Sequence, residues 1–275
     1  MLTINILGAG RVGQTLARLF RDFDQFKIAS VYTRSAKTGQ KAVDFIGAGQ
    51  AISNLRELAD ADIWMLTVPD DEIQEVSKLL LDNRLLKPQS TVFHCSGAKS
   101  SEILQPLRDA GHFVASIHPV RSFASPQLAA SDFAGTFCGV EGDTEALEIL
   151  IPAFKAIGAH TFLLDTGHKL RYHAASVFAS NYLVALMDVA LKTYQAAGLS
   201  PEMAATLAQP LAKKTLENVF NSSTEAALTG PIKRGDFQTV EKQLADLSEW
   251  DQGSANLYQA FIEPTKEIAN RGKSK

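Results

Sequence analysis

The sequence is poor in cysteine and has no excess of basic residues. Of its 275 residues, 27 are Lys or Arg and 30 are Asp or Glu, which gives a net charge of −3. That balance excludes the basic footprint expected of a nucleic-acid-binding protein. The two cysteines, Cys95 and Cys138, have no CxxC spacing, so they predict reduced core thiols and no disulfide framework. The six histidines are dispersed, and no metal site is predicted.

Neither a secretory leader nor a membrane span is expected from the sequence. The first residues lack a basic start, a long apolar run and a small-residue cleavage site, so we expect a cytoplasmic protein. The longest apolar stretch, residues 174–191, carries Ser176, Ser180, Asn181 and Asp188. This polar content predicts a buried core helix rather than a membrane-spanning one.

Short apolar runs alternate with helix-like segments through the first part of the chain, which indicates βαβ units and a mostly parallel sheet. The predicted strands are residues 3–7, 27–32, 63–68, 91–95, 114–118, 135–140 and 161–164. The predicted helices between them are residues 12–23, 37–46, 71–80, 102–109 and 144–157. We therefore expect an α/β domain over residues 1–165.

Only helical patterns follow Leu164. A long helix is predicted over residues 166–197 and ends at Gly198, and Ser200-Pro201 has the form of an N-cap followed by proline in the first helical position. Residues 221–236 are rich in Ser, Thr, Gly and Pro and predict a structured loop. Further helices are expected over residues 239–247 and 253–270, so residues 166–275 form an all-helical second domain.

A glycine-rich motif follows the first predicted strand directly. It reads Gly8-Ala9-Gly10-Arg11-Val12-Gly13 and lies between a strand and a helix. Its first glycine permits a tight turn, the second lets the backbone approach a pyrophosphate, and the third lets helix and strand pack closely. Because the helix N-terminus offers free N–H groups to phosphates, the motif predicts a dinucleotide site. The alternative is a glycine-rich turn without a ligand.

The end of the second predicted strand indicates which dinucleotide is bound. NAD-binding sites usually have an acidic residue here, but this sequence has Thr33-Arg34-Ser35. A guanidinium beside two hydroxyls suits the 2′-phosphate of NADP(H), which is the cofactor we expect. Alternatively, Arg34 is a solvated loop charge.

Later strand ends should lie at the same edge of the sheet. Ligands of open α/β sheets bind outside the carboxyl ends of the strands. Val68-Pro69 and Ser96-Gly97 are therefore expected to flank the ribose and nicotinamide, and His118 is expected to face the same crevice.

A stripe of polar residues is predicted on the long helix. With Lys169 at zero, His173 lies at about +40°, Ser176 at about −20° and Ser180 at about +20°, while Asn181 lies well off the line. A buried polar stripe needs partners, and a substrate with a nicotinamide would supply them. Lys169 is then a candidate general acid, His173 is either its partner or the acid itself, and the alternative is a solvent-exposed polar edge.

Arg234 is a candidate for binding a substrate carboxylate. It lies in a loop that contains Gly230, Pro231 and Gly235, and its guanidinium suits a bidentate carboxylate contact. The competing interpretation is a structural turn in which Arg234 pairs with Asp236 or caps a helix.

Several motifs taken together resemble one family. They are Gly8 to Gly13, Val68-Pro69-Asp70-Asp71, His94-Cys95-Ser96-Gly97, His118-Pro119, Tyr172-His173-Ala174-Ala175, and Gly230-Pro231 with Arg234-Gly235-Asp236. The sequence resembles Rossmann-like proteins whose C-terminal half is a domain of unknown function, and the resemblance covers nearly the whole chain. It implies an α/β Rossmann domain with a mostly parallel sheet, then an all-α C-terminal domain of the 6-phosphogluconate dehydrogenase C-terminal-like type. Such proteins are similar in architecture to pyrroline-5-carboxylate reductase, and the helical domain usually forms a homodimer.

The resemblance also implies a reaction. Some members act as an alternative ketopantoate reductase, which implies NADPH-dependent reduction of 2-dehydropantoate, a small molecule bearing a carboxylate. In the superfamily a helix lysine, followed four residues later by asparagine, serves the chemistry. Lys169 fits the lysine position, but His173 stands where the asparagine is expected, and Asn181 lies two turns further.

Two other functions stay open at this point. One is another NADP-linked reductase or dehydrogenase, acting on an imino acid or a different 2-oxo acid. The other is an NADP-binding sensor without chemistry. A polar stripe that reaches the nicotinamide favours an enzyme, whereas a Lys169 buried in a salt bridge elsewhere favours the sensor.

Overall fold

The structure, a computed structural model, describes residues 1–272. It divides into two compact units, Met1–Ser180 and a second that begins at Asn181. The division predicted after Asp165 stays a prediction about domains.

An eight-stranded sheet organises the first unit. Its strands are β1 (Thr3–Leu7), β2 (Lys27–Tyr32), β3 (Gln50–Ile52), β4 (Ile63–Leu66), β5 (Thr91–His94), β6 (Phe113–Pro119), β7 (Phe137–Gly142) and β8 (His160–Leu163). The spatial order is β3-β2-β1-β4-β5-β6-β7-β8, and every neighbouring pair is parallel except β6 with β7. This confirms the predicted α/β fold with a mostly parallel sheet.

Helices accompany the strands of this unit. They are α1 (Arg11–Asp22), α2 (Ala36–Ile46), α3 (Ile73–Asp82), α4 (Gln105–Asp109), α5 (Pro126–Ser131) and α6 (Thr144–Ala156), with single 3₁₀ turns at Leu55–Glu57 and Ser101–Leu104. Along β4, Ile63 and Met65 belong to one apolar cluster while Trp64 and Leu66 belong to the other. Side chains of a strand alternate between its faces, so the central strands are buried on both sides, as in parallel sheets covered by helices.

Seven of the eight strands agree with the sequence prediction to within about two residues, the usual scatter of element ends. The exception is β3, which was not predicted. It has only three residues, and Gln50 at its start is exposed, so it lacks the apolar run that marks the other strands.

The second unit is helical. Its helices are α8 (Leu183–Ala196), α9 (Pro201–Asn221), α10 (Thr224–Ala227), α11 (Pro231–Arg234), α12 (Phe237–Trp250) and α13 (Gln252–Arg271). The Ser200 hydroxyl accepts a hydrogen bond from the Met203 amide, which confirms the predicted N-cap of α9. The segment predicted as a loop contains the two short helices α10 and α11.

The long helix differs from its prediction in two ways. It begins with a 3₁₀ turn, Thr166–His168, continues as α7 (Lys169–Val177), and passes through a π-helical turn, Phe178–Tyr182, before α8. The expectation of a buried core helix is wrong. The most apolar 18-residue window of the helix has a mean hydropathy of 1.5, yet none of that window is buried among the described residues. By length and composition alone, Thr166–Ala196 is able to cross a membrane.

Candidate functional site

The glycine motif connects β1 to α1 through a turn that leaves no room for a side chain at its first and last glycines. Gly8 has a φ of +88°, and a Cβ there would lie 2.7 Å from the Thr67 carbonyl carbon. A Cβ at Gly13 would collide with the Thr67 hydroxyl, which itself donates to the Gly8 carbonyl. At Gly10, by contrast, a Cβ would meet no described atom within 4 Å. The motif therefore holds β1 and α1 together and leaves open space beside Gly10.

A cleft of about 780 Å³ opens above this turn. Its lining comes from the loops after β1, β2 and β4 and from α2 and α3, and consists of Gly8, Ala9, Gly10, Tyr32, Thr33, Arg34, Ser35, Thr38, Thr67, Val68, Pro69, Glu72, Glu75, Val76 and Leu79. The N-terminal N–H groups of α1 begin at Gly10, which has no side chain to cap them. Free N–H groups, a positive helix end and open space at Gly10 fit a pyrophosphate.

The three residues after β2 have different roles at the cleft: Thr33 and Ser35 shape the backbone, and Arg34 is exposed. The Thr33 hydroxyl is buried and donates to the Ser35 carbonyl at 2.8 Å, so it shapes the loop. Ser35 caps α2, accepting from the Thr38 amide at 3.5 Å. The Arg34 side chain is 79% exposed, and its Nη1 lies 3.1 Å from Glu72 Oε1. Sequence reasoning did not single out Glu72.

Other predicted cofactor residues lie around the same loops. Arg11 is exposed at the start of α1 and donates to the Phe123 carbonyl at 3.3 Å, and Val12 packs against the core behind the loop. After β5, the Ser96 hydroxyl donates to Asp70 at 2.6 Å and accepts from the Lys99 amide at 3.0 Å. Ser96 therefore ties the loop after β5 to the loop after β4.

Two histidines meet at Gly97, beyond the end of β5. A Cβ on Gly97 would collide with His173 Nδ1 and would lie 2.7 Å from His118 Nε2. The two rings are 5.5 Å apart and nearly perpendicular. His118 Nδ1 hydrogen-bonds the Tyr172 hydroxyl at 2.8 Å, while His173 Nδ1 is buried and has no hydrogen-bond partner within residues 1–272. An unpaired buried nitrogen is uncommon in folded proteins.

The surroundings of His118 disfavour its charged form. Burial, and to a smaller extent the neighbouring His173 and Lys169, lower the pKa of His118 to about 4. Burial also raises the pKa of Tyr172 to about 12, so its hydroxyl stays protonated near neutral pH. His118 is therefore neutral near neutral pH.

Lys169 does not project into the cleft. Its side chain is 1% exposed, and its ammonium donates to Glu141 at 2.8 Å and to Ser116. Glu141, 4% exposed, also accepts from the amide of Ser101 at 2.8 Å and from its hydroxyl at 2.6 Å. Burial lowers the pKa of Lys169, and the Glu141 carboxylate opposes that shift. This geometry disfavours Lys169 as the general acid, because two of its three N–H donors are committed to buried protein acceptors, and its catalytic role stays a prediction.

The predicted polar stripe does not persist along the helix. Ser176 is half-buried and its hydroxyl lies 3.5 Å from the Tyr172 carbonyl, whereas Ser180 and Asn181 are exposed. The prediction assumed 3.6 residues per turn throughout, and the π-helical turn Phe178–Tyr182 changes that period. Lys169 and His173 consequently face protein groups of the first unit, and Ser180 does not continue their line. Roles for Ser176, Ser180 and Asn181 stay predictions.

Arg234 ends the short helix α11 in the second unit and is exposed. Asp236, two residues later, caps α12 by accepting from the Thr239 amide at 3.2 Å and from its hydroxyl at 2.7 Å. These hydrogen bonds lower the pKa of Asp236, and the charge of Arg234 adds to the effect. The turn is thus explained structurally, and carboxylate binding by Arg234 stays a prediction.

The α/β sheet with a glycine turn at β1 defines a Rossmann-like protein. Residues 1–119 match the family model of Rossmann-like domains, and residues 136–265 match the model of a domain of unknown function, DUF2520. The chain thus combines a Rossmann-like domain with a DUF2520 domain, which confirms the resemblance found in its motifs. No protein of curated function matches the sequence significantly.

Solved structures of similar architecture cover almost the whole chain. A Thermotoga maritima protein is 28% identical, with a TM-score of 0.73 over 98% of this chain and 100% of its own. A Bacteroides fragilis protein named as a candidate NADP oxidoreductase is 19% identical, with a TM-score of 0.79 over 97% and 98%. A Plasmodium falciparum pyrroline carboxylate reductase with NADP bound is 16% identical, with a TM-score of 0.58 over 98% of each chain. The last two likenesses show the fold.

The buried ion pair yields a stability prediction. Lys169→Met and Glu141→Gln should each lower the free energy of unfolding by about 3–5 kcal/mol, because each leaves a buried charge without its partner. The double variant should lose much less than the sum, since no unpaired charge remains and the new side-chain amide at position 141 would still accept from Ser101. Urea unfolding of the four proteins measures this coupling. Additive losses would show that the two charges do not stabilise each other.

Proposed function

We propose that the protein is a cytoplasmic NADP(H)-dependent oxidoreductase that reduces a carbonyl or imine carbon of a small molecule. The observation that carries the proposal is the cleft between the glycine turn at Gly8–Gly13 and Arg34. The open space at Gly10 and the guanidinium at the end of β2 suit the pyrophosphate and the 2′-phosphate of one dinucleotide. The solved structures named as NADP proteins support the same assignment.

We assign the proton transfer of this reaction to the two histidines beside Gly97, His118 and His173. In sheets of this kind the dinucleotide crosses the carboxyl ends of the strands, with its second half beyond the glycine turn, on the side of β4 and β5. NADPH, when bound there, supplies the hydride. His173, whose buried Nδ1 has no hydrogen-bond partner within residues 1–272, donates a proton to the substrate oxygen or nitrogen, and His118 is fixed beside it by the Tyr172 hydroxyl.

For the substrate, we propose 2-dehydropantoate, reduced to pantoate. Support comes from the family resemblance in the motifs that contain His118, His173 and Arg234. The alternative is an imino acid or another 2-oxo acid, favoured by the structural likeness to a pyrroline carboxylate reductase. A non-catalytic NADP sensor is the second candidate function, and the burial of Lys169 against Glu141 is the observation that favours it.

The test is NADPH oxidation by the purified protein, followed by loss of NADPH absorbance. Ketopantoate, pyrroline-5-carboxylate and several 2-oxo acids are compared in parallel. We expect saturable turnover, with kcat/KM highest for ketopantoate. Faster turnover of the cyclic imine would select the imino-acid alternative, and tight NADPH binding without turnover of any of these compounds would select the sensor.

His173 should be the proton donor in that reaction. His173→Gln should lower kcat by about 100-fold or more while leaving the Kd for NADPH unchanged, because general acid catalysis contributes about 10²–10⁴-fold. His168→Gln is the matched control, since His168 is exposed in the same segment and should keep full activity. Equal kcat values for His173→Gln and wild type would remove His173 from the chemistry.

Arg34 should discriminate between the two nicotinamide dinucleotides. Arg34→Ala should weaken NADPH binding about tenfold or more, because a charge-assisted hydrogen bond contributes about 1.5–3 kcal/mol. NADH has no 2′-phosphate, so its Kd should change much less. Fluorescence titration of both dinucleotides measures the difference, and equal losses for the two would contradict the 2′-phosphate assignment.

We further propose that two copies of the chain associate through the helical region to form a homodimer. The helices of the second unit expose large apolar side chains, with Val184 of α8 70% exposed and Leu211 and Phe220 of α9 61% and 83% exposed. Apolar surface of this kind marks an interaction site in a protein that stays in solution. The family resemblance supports a second copy of the chain as the partner.

Sedimentation measurements without detergent test this association. We expect a dimer for the wild type and dissociation on Val184→Glu, because the new charge would have to be desolvated at the interface. A monomeric wild type would contradict the proposal. If the protein can be extracted from cells only with detergent, that result would contradict the proposal too and would indicate that Thr166–Ala196 lies in a membrane.

A further inference from the structure

Arg34, the residue proposed to select NADP(H), is contacted by an acidic residue of a different loop, Glu72. Arg34 follows β2, while Glu72 follows β4 and immediately precedes α3. Because β2 and β4 lie on either side of β1, their loops face each other across the glycine turn. Glu72 Oε1 lies 3.1 Å from Arg34 Nη1, and both residues line the cleft.

This ion pair opposes the binding of a 2′-phosphate. The phosphate needs the Arg34 guanidinium that Glu72 already contacts. If the Glu72 carboxylate and the 2′-phosphate both contact the Arg34 guanidinium, these two anions also repel each other, because only that one group separates them. A dinucleotide without the phosphate meets neither obstacle. In NAD-binding sites an acidic side chain at the end of the second strand accepts from the ribose 2′-hydroxyl, and the Glu72 carboxylate stands beside the corresponding position of this chain.

We propose that Glu72 is a specificity-determining residue that reduces the preference for NADPH over NADH. The carboxylate that is missing from Thr33-Arg34-Ser35 is supplied by the loop after β4. Cofactor choice therefore depends on a balance between Arg34 and Glu72 rather than on Arg34 alone. This inference rests on the proposed dinucleotide site and does not depend on which substrate is reduced.

The expected size of the effect follows from exposure. The Arg34 side chain is 79% exposed and that of Glu72 is 29% exposed, so water and salt weaken their interaction. Removing the carboxylate charge should therefore change NADPH affinity by about two- to tenfold rather than by orders of magnitude. The same screening predicts that the change shrinks as ionic strength rises.

The test is Glu72→Gln in the full chain, with Kd values for NADPH and NADH from fluorescence titration at low and high salt. The glutamine side chain keeps the size and an acceptor oxygen but removes the charge. We expect the Kd for NADPH to fall by about two- to tenfold at low salt and the Kd for NADH to stay within about twofold. Glu75→Gln is the matched control, because Glu75 lines the same cleft and has no ion pair with a described residue.

Three different results would contradict the proposed role of Glu72. If Glu72→Gln changes both Kd values equally, or leaves the NADPH value unchanged at low salt, Glu72 does not determine specificity. If Glu75→Gln matches its effect, the change reflects the total charge of the cleft, and the specific role of Glu72 is overturned. If the wild-type protein binds neither dinucleotide, the proposed function itself fails, and this inference fails with it.

Discussion

The ion pair between Lys169 and Glu141 is the contact on which the arrangement of the candidate site depends. It fastens the first residue of α7 to the buried strand β7, and the Lys169 ammonium also reaches Ser116 on β6. Tyr172 and His173 follow within about one turn of that attachment. Their contacts with His118 and Gly97 therefore require α7 to begin where this ion pair holds it.

A buried ion pair is an expensive way to attach a helix, since apolar contacts would do so at no cost in desolvation. The advantage of the ion pair is that it fixes the orientation of α7. The Lys169 ammonium has few acceptors within reach, and Glu141 is itself oriented by the amide and hydroxyl of Ser101. Such a contact tolerates little sliding or rotation of α7. The charge of Lys169 also contributes to the lowered pKa of His118, although burial is the larger cause. These contacts favour a positioning role for Lys169 beside His118, and the proton-transfer role expected from the sequence stays a prediction.

The sequence predicted the scaffold of the site better than its chemistry. The glycine turn and the central strands follow from local signals: a GxGxxG spacing after an apolar run, and apolar segments of suitable length. The burial of Lys169 could not be read from the periodicity of α7, because periodicity describes one helix and not the groups that face it. A signal was nevertheless present in Glu141, a carboxylate within the otherwise apolar strand β7, which needs a cationic partner when buried. Glu72 gave no such signal, since an acidic residue before a helix is ordinary.

The long helix shows why a sequence pattern that indicates burial does not identify what buries it. Its apolar residues predicted a core, and its serines and Asn181 argued against lipid, yet the folded chain covers none of its most apolar window. An apolar surface left in water favours association or aggregation, because burying it is favourable by roughly 25 cal/mol per Å². The expectation that one chain buries this helix is wrong. In the homodimer proposed above, the apolar residues of α8 and α9 would instead be core residues of the assembly.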